Sequence, residues 1–194
     1  MCIRDSNFGF MFAPNYHSAM RFVGPVRKKI GKRTIFNMIG PLSSPALVTR
    51  QVVGVFDKKL LKIFAESLKN LNIKFAWIVN SEDGLDEISP YAKTNVIQLK
   101  DGEISEIIID PQLLNINAEK FDNLVGNDAK YNASKMIEIF KGKDNDFSKA
   151  VCLNAAAGLI VNEKYSEFSK AYKYAREFIL SGKPYIHLEK IQNA

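Results

Sequence analysis

The sequence predicts an α/β fold, and three observations carry that expectation. Apolar, β-branched runs of strand length alternate with stretches of helical periodicity, the connections between them are short, and an Asp-Gly turn joins two of the runs. At 194 residues, 46% of them apolar and 25% charged, the chain can bury a core and has the size of one domain. No segment has the uninterrupted apolar length of a bilayer span. The N-terminus, MCIRDSNFGFMF, carries one Arg and one Asp and no small-residue cleavage site, which makes a poor secretory signal. Cys2 and Cys152 lie far apart and in no metal-like pair, so a reducing compartment without a disulfide is expected, with the cytoplasm as the default.

Taken in order, Asn15 is placed to cap a helix over 16–23, which Gly24-Pro25 should interrupt. Pro25 suits the first position of a second helical piece over 26–30, and Gly31 suits its end. The apolar run 34–42 is closed by Gly40-Pro41, and Ser43-Ser44-Pro45 prolongs the turn. Residues 50–56 read as a strand, and Asp57 as the cap of a helix whose Leu60, Phe64, Leu68 and Leu71 form one apolar stripe. A second strand, 75–79, follows at once. Strand, helix and strand with short links form the signature of a parallel pair buried under helices. Runs 94–99 and 103–109 flank Lys100-Asp101-Gly102, an antiparallel hairpin edging that parallel core. From Asn127 onward the pattern is helical, over 128–141, 147–161, 166–181 and a tail near 185–191, with Gly142 and Gly182 where C-terminal caps belong. A sheet with only two parallel strands cannot easily satisfy its edges and faces, so further strands are expected from another chain or from upstream sequence.

The net charge is +6 and the pI about 9.2. The densest basic run, 27–33, holds five cations in seven residues. It lacks interleaved aromatics, and the other lysines alternate with acids, so a solvated face or service to anionic small molecules is favoured over nucleic acid. Against that excess, NSEDGLDEIS (80–89) packs four carboxylates into six residues directly after the strand 75–79. Ligands bind at the carboxyl ends of strands in open α/β sheets. The adjacent acids Asp86 and Glu87 could aim at one hard cation, and Gly84 would permit the turn. On the residues alone a solvated acidic loop is the readier account, since these are also ordinary turn residues. His17 shares a helical side with Arg21 and is as readily a surface residue as a ligand contact. Arg27 could fork around a carboxylate, though most such arginines face water. Asn154-Ala155-Ala156-Ala157-Gly158 reads as close helix packing. No Ser-His-Asp set, Cys-His pair, P-loop or GxGxxG is present.

FMFAPNYHSAM (10–20), PVR (25–27) with GKRTIFNMIGPL (31–42), EDGLDEIS (82–89) and CLNAAA (152–157), in this order, closely resemble the anthranilate phosphoribosyltransferases. The resemblance runs from about Phe8 to the end of the chain. It implies transfer of phosphoribosyl from phosphoribosyl pyrophosphate (PRPP) to anthranilate with release of pyrophosphate, a step of tryptophan biosynthesis, with Mg2+ as cofactor. It also implies a nucleoside phosphorylase/phosphoribosyltransferase-like fold, in which a small helical domain packs on a larger α/β domain, usually as a homodimer. Asp86 and Glu87 align with the family's magnesium-binding pair and Arg27 with its anthranilate-contacting arginine. Pro14 and His17 fall along the acceptor's approach. Positioning residues are implied and no catalytic nucleophile. The family's Gly-Thr-Gly-Gly-Asp loop, which cradles pyrophosphate, is absent, and residues 1–6 do not resemble the family. The chain is therefore expected to be a C-terminal portion, with 7–40 helical and 41–194 belonging to the α/β domain, and to be inactive and poorly stable alone. Two rivals remain: a pyrimidine-nucleoside phosphorylase-like enzyme and a basic, non-enzymatic binding domain. No membrane partner is expected.

Overall fold

In the computed structural model, which describes residues 6–16, 20–32, 34–118 and 121–193, the chain falls into two units. Met1–Val48 with Lys190–Ala194 form the first, and Thr49–Glu189 the second.

Among the described residues the first unit includes the helices α1 (Ala13–Tyr16), α2 (Met20–Ile30) and α3 (Phe36–Leu42). The expected interruption at Gly24-Pro25 does not occur, because α2 runs through it. Proline in a helix removes one hydrogen bond, and its ring usually strikes the Cβ of the preceding residue. Gly24 has no Cβ, which relaxes that second conflict. Gly31, at φ 62°, ends the helix as the sequence predicts. Likewise Gly40-Pro41 lies inside α3 and does not close it. Ser43 ends α3 by donating from its backbone N–H to the Gly40 carbonyl (3.2 Å) and from its hydroxyl to that of Ile39 (3.0 Å).

The second unit is built on a four-stranded sheet. Its elements are β1 (Arg50–Gly54), α4 (Leu60–Asn70), β2 (Phe75–Ser81), β3 (Thr94–Lys100), β4 (Glu103–Ile109), α5 (Ala129–Phe140), α6 (Asp146–Val161), α7 (Phe168–Leu180) and the start of α8 (Lys183–Gln192). Strands follow the spatial order β1-β2-β3-β4, with β1 parallel to β2 and the other pairs antiparallel. This is the expected α/β architecture with its parallel pair and hairpin. Asp101 and Gly102 both take positive φ (48° and 84°), the conformation a two-residue hairpin loop demands.

All seven residues of β2 are buried, because strands flank it and helices cover both of its faces. On one face Phe75, Trp77 and Val79 join Val96, Ile109 and the apolar sides of α6 and α7 in a continuous core. Ala76 and Ile78 alternate to the opposite face, which α4 covers with Leu61, Phe64, Ala65 and Leu68. The α4 stripe is thus shifted from the expected one: Leu71 follows the last helical turn and is 52% exposed. Asp57 precedes the helix by a turn, its carboxylate accepting from the Lys59 N–H at 2.9 Å. Asp128 and Asn145 cap α5 and α6, the latter in a reciprocal capping box with Ser148. Gly142 and Gly182, at φ 94° and 72°, terminate α5 and α7.

Candidate functional site

β1 and β2 run parallel, so their carboxyl ends emerge on the same side of the sheet, and the acidic loop rises from β2 at that point. Two contacts join the strand ends. The Asn80 side chain donates to the Val55 carbonyl at 2.8 Å, and the Val55 N–H donates to the Val79 carbonyl at 2.9 Å. Gly54 closes β1 against the loop itself. A Cβ built at Gly54 would stand 1.6 Å from the carbonyl oxygen of Asp86 and 2.7 Å from its carbonyl carbon. Only glycine lets the Asp86 backbone rest there.

The four acids of the loop divide their work. Asp83, half-buried, is spent on the loop, accepting from the Leu85 N–H (3.3 Å) and from the Ser89 hydroxyl (2.5 Å). Ser89 is fully buried, and its Oγ also accepts from the backbone N–H groups of Tyr91 (3.0 Å) and Ala92 (3.4 Å). The turn is completed by Gly84 N–H to Ser81 carbonyl (3.0 Å) and Ser81 N–H to Leu85 carbonyl (2.9 Å), with Gly84 at φ 91°. Glu82, Asp86 and Glu87 are exposed, and among the described residues none of their carboxylates forms a hydrogen bond or ion pair.

Two tethers fasten the loop to α6. The Asn154 side chain accepts from the Ile88 N–H at 3.0 Å and donates to the Ile88 carbonyl at 3.2 Å. Further along, the Tyr91 hydroxyl donates to Asp146, a buried carboxylate that also receives Lys149 at 2.8 Å. Asp86 and Glu87 are thereby held outward between two fixed points, the Gly54 contact and the Ile88 tether. Packing around Glu87 desolvates its carboxyl, and the neighbouring Asp86 charge adds to that effect. Both raise it above the ordinary carboxylate value. A cation would relieve this like-charge pair. Adjacent oxygen donors suit a hard divalent ion such as Mg2+, which usually takes one or two carboxylates together with phosphate oxygens and waters. Among the described residues no set of three or more His, Cys, Asp or Glu side chains is arranged to hold a metal, so the remaining ligands would come from a bound anion and water.

Of the other sequence-predicted site residues, His17 lies outside the described residues. Pro14 and Arg27 belong to the first unit, on α1 and α2, and the structure describes the helices that carry them but not their side chains. Sequence reasoning missed Gly54 and Asn154. Each left a signal: a lone glycine inside a β-branched strand marks close backbone approach, and a lone amide inside an apolar helix must find partners. The reading of residues 154–158 as plain helix packing holds for Ala156 and Ala157, which are fully buried. It fails for Gly158, where an added Cβ would meet nothing within 4 Å.

The family model described as the glycosyl transferase family, α/β domain, matches residues 1–185. The chain belongs to the glycosyl transferase family. Within that family, its similarity is to the anthranilate phosphoribosyltransferases, as the motifs imply. It is 78% identical to the one from Pelagibacter ubique over 191 residues, which are 98% of this chain and 58% of that protein. The Clostridium kluyveri enzyme is 42% identical over 192 residues, covering 99% of this chain and 57% of that one. Among solved structures, anthranilate phosphoribosyltransferase from Thermus thermophilus superposes with a TM-score of 0.86 at 32% identity, over 97% of this chain and 56% of that one. The Saccharomyces cerevisiae enzyme in complex with PRPP and Mg gives a TM-score of 0.84 at 26% identity, over 95% and 54%. The chain spans a little over half the length of the relatives it matches. Among the described residues no helix is long and apolar enough to cross a membrane.

Proposed function

We propose that this chain serves in an anthranilate phosphoribosyltransferase, moving the phosphoribosyl group of PRPP to the amine of anthranilate. The new bond joins the amine nitrogen to the ribose anomeric carbon, the bond from that carbon to pyrophosphate breaks, and the amine loses a proton. Asp86 and Glu87 hold Mg2+, which when bound offsets the charge on the departing pyrophosphate. Arg27, with Pro14 and His17, lines the approach of anthranilate in this reading. Aromatic amines are uncharged at neutral pH and need no strong base, so the residues serve by holding and aligning the reactants. The complete protein acts as a homodimer in the cytoplasm.

One observation carries the proposal: two carboxylates without a hydrogen-bond or ion-pair partner among the described residues, fixed at the carboxyl end of a parallel strand pair, in a chain 78% identical to an anthranilate phosphoribosyltransferase. The test is a chimera in which this chain replaces the matching segment of the Pelagibacter ubique relative. Turnover is followed as loss of anthranilate fluorescence on addition of PRPP and Mg2+. The chimera is expected to turn over, and Asp86→Ala with Glu87→Ala to reduce the rate by roughly 100-fold or more. A folded chimera without turnover would refute the reading, as would one indifferent to the double substitution.

A further inference from the structure

We propose that Asn154 is a positioning residue for the acidic pair, and that its amide sets how Asp86 and Glu87 present themselves to a divalent cation. The inference rests on reading that pair as cation ligands.

Asn154 lies mid-way along α6, half-buried, between the core residues Leu153 and Ala156. Its amide makes three hydrogen bonds. The oxygen accepts from the Ile88 N–H at 3.0 Å, and the nitrogen donates to the Ile88 carbonyl (3.2 Å) and to the Ala150 carbonyl one turn earlier (2.9 Å). Both amide hydrogens are used, so the bond to Ala150 fixes the plane in which the group meets Ile88. Ile88 is fully buried, and its side chain belongs to the core beneath the sheet. That residue is therefore held through its N–H, its carbonyl and its side chain together. Glu87 precedes it by one peptide, about 3.8 Å between Cα atoms, and inherits its placement. Asp86, one residue further back, has its carbonyl seated on Gly54. The two carboxylates thus project from a dipeptide clamped at both ends, by β1 on one side and α6 on the other.

Outer partners that orient metal-binding groups commonly contribute about 10–100-fold to metal affinity. Removing the Asn154 amide leaves two buried backbone groups of Ile88 unpaired, and the loop can recover them only by moving toward water. The pair then loses its fixed geometry while keeping both of its charges. A role confined to packing would lower stability without that specific loss.

The test uses the 15N-labelled chain titrated with Mn2+, a paramagnetic divalent probe that broadens nearby amide signals. Hydrogen exchange at the Ile88 amide is read in the same samples. In the wild type, broadening centred on 82–89 is expected. Asn154→Ala should weaken Mn2+ binding about 10-fold or more and speed Ile88 exchange. Ser148→Ala, which breaks the α6 capping box without touching the clasp, should lower stability and leave Mn2+ affinity unchanged. Should Asn154→Ala fail to fold, Asn154→Ser takes its place with the same expected losses, and collapse of both variants overturns the proposal by making Asn154 a core residue. Equal Mn2+ affinity in the wild type and a folded Asn154 variant overturns it while leaving the metal reading intact, and so does equal weakening by Ser148→Ala. No broadening at 82–89 in the wild type overturns the metal reading and this inference with it.

Discussion

Gly54→Ala should damage the acidic loop from the strand side, and the size of the effect follows from the contact. The added Cβ would lie 1.6 Å from the Asp86 carbonyl oxygen, 2.7 Å from the carbonyl carbon and 3.3 Å from the Asp86 Cβ. A carbon and a carbonyl oxygen approach to roughly 3.3 Å, so one backbone must withdraw by about 1.7 Å. Neither can yield by turning a side chain, since the opposing atoms are main chain. β1 is paired to β2 through Gly54 opposite Val79, and the loop is pinned two residues later at Ile88. Overfilling of this kind costs about 1–3 kcal/mol. Alanine recovers about 0.5 kcal/mol of strand preference over glycine, leaving a net loss of about 1.5 kcal/mol. At this chain length that corresponds to a fall in Tm of about 3–6 °C. Trp77, the single tryptophan, sits in the core of the second unit at 3% exposure and reports its unfolding by fluorescence. A variant with wild-type Tm and wild-type amide shifts over 82–89 would refute the argument from this contact.

Two further outcomes are expected. Glu163 accepts from Arg50 and from Lys100 (3.1 Å), and these hydrogen bonds hold its carboxyl below the usual range; the stability it contributes is present above the unfolded value and lost as pH falls through the native one. Glu163→Gln should therefore flatten the acid limb of the Trp77 unfolding profile, with a difference that shrinks in high salt, and an unchanged limb would contradict it. Burial pushes the Cys152 thiol up to about 11, so its alkylation near neutral pH should be slow in the native chain and fast in denaturant, read by peptide mass spectrometry. Rapid native labelling at Cys152 would overturn that.

Elements governed by local signals were legible in the sequence. The Asp-Gly hairpin, the parallel pair and the glycine-terminated helices depend on turn chemistry and periodicity within short windows. The break expected at Gly24-Pro25 does not form, since the residue before the proline has no Cβ for the ring to strike. Of the expected α4 stripe Phe64 and Leu68 are buried, while Leu61 takes the place of Leu60, a choice that only packing against β2 and β3 decides. At the site, Asp86 and Glu87 were nameable from their spacing. The different duties of Asp83 and Asp86, three residues apart, were not, because the Ser89 hydroxyl that occupies one of them is brought there by the folded loop. Asn154 lies 66 residues from Ile88 along the chain, and no local pattern joins the two.

The clasp on Ile88 also restricts how α6 can change in length. Asn145 and Ser148 fix where the helix begins, and Asn154 must emerge on the face turned toward the loop. One inserted or deleted residue between them would rotate Asn154 by about 100° around the axis, because successive residues are spaced 3.6 to the turn. Substitution can be absorbed along most of that stretch, but a frame change cannot. Natural length variation in this half of the chain should therefore gather in the loops on either side of α6 and spare the stretch from its cap, Asn145, to Asn154.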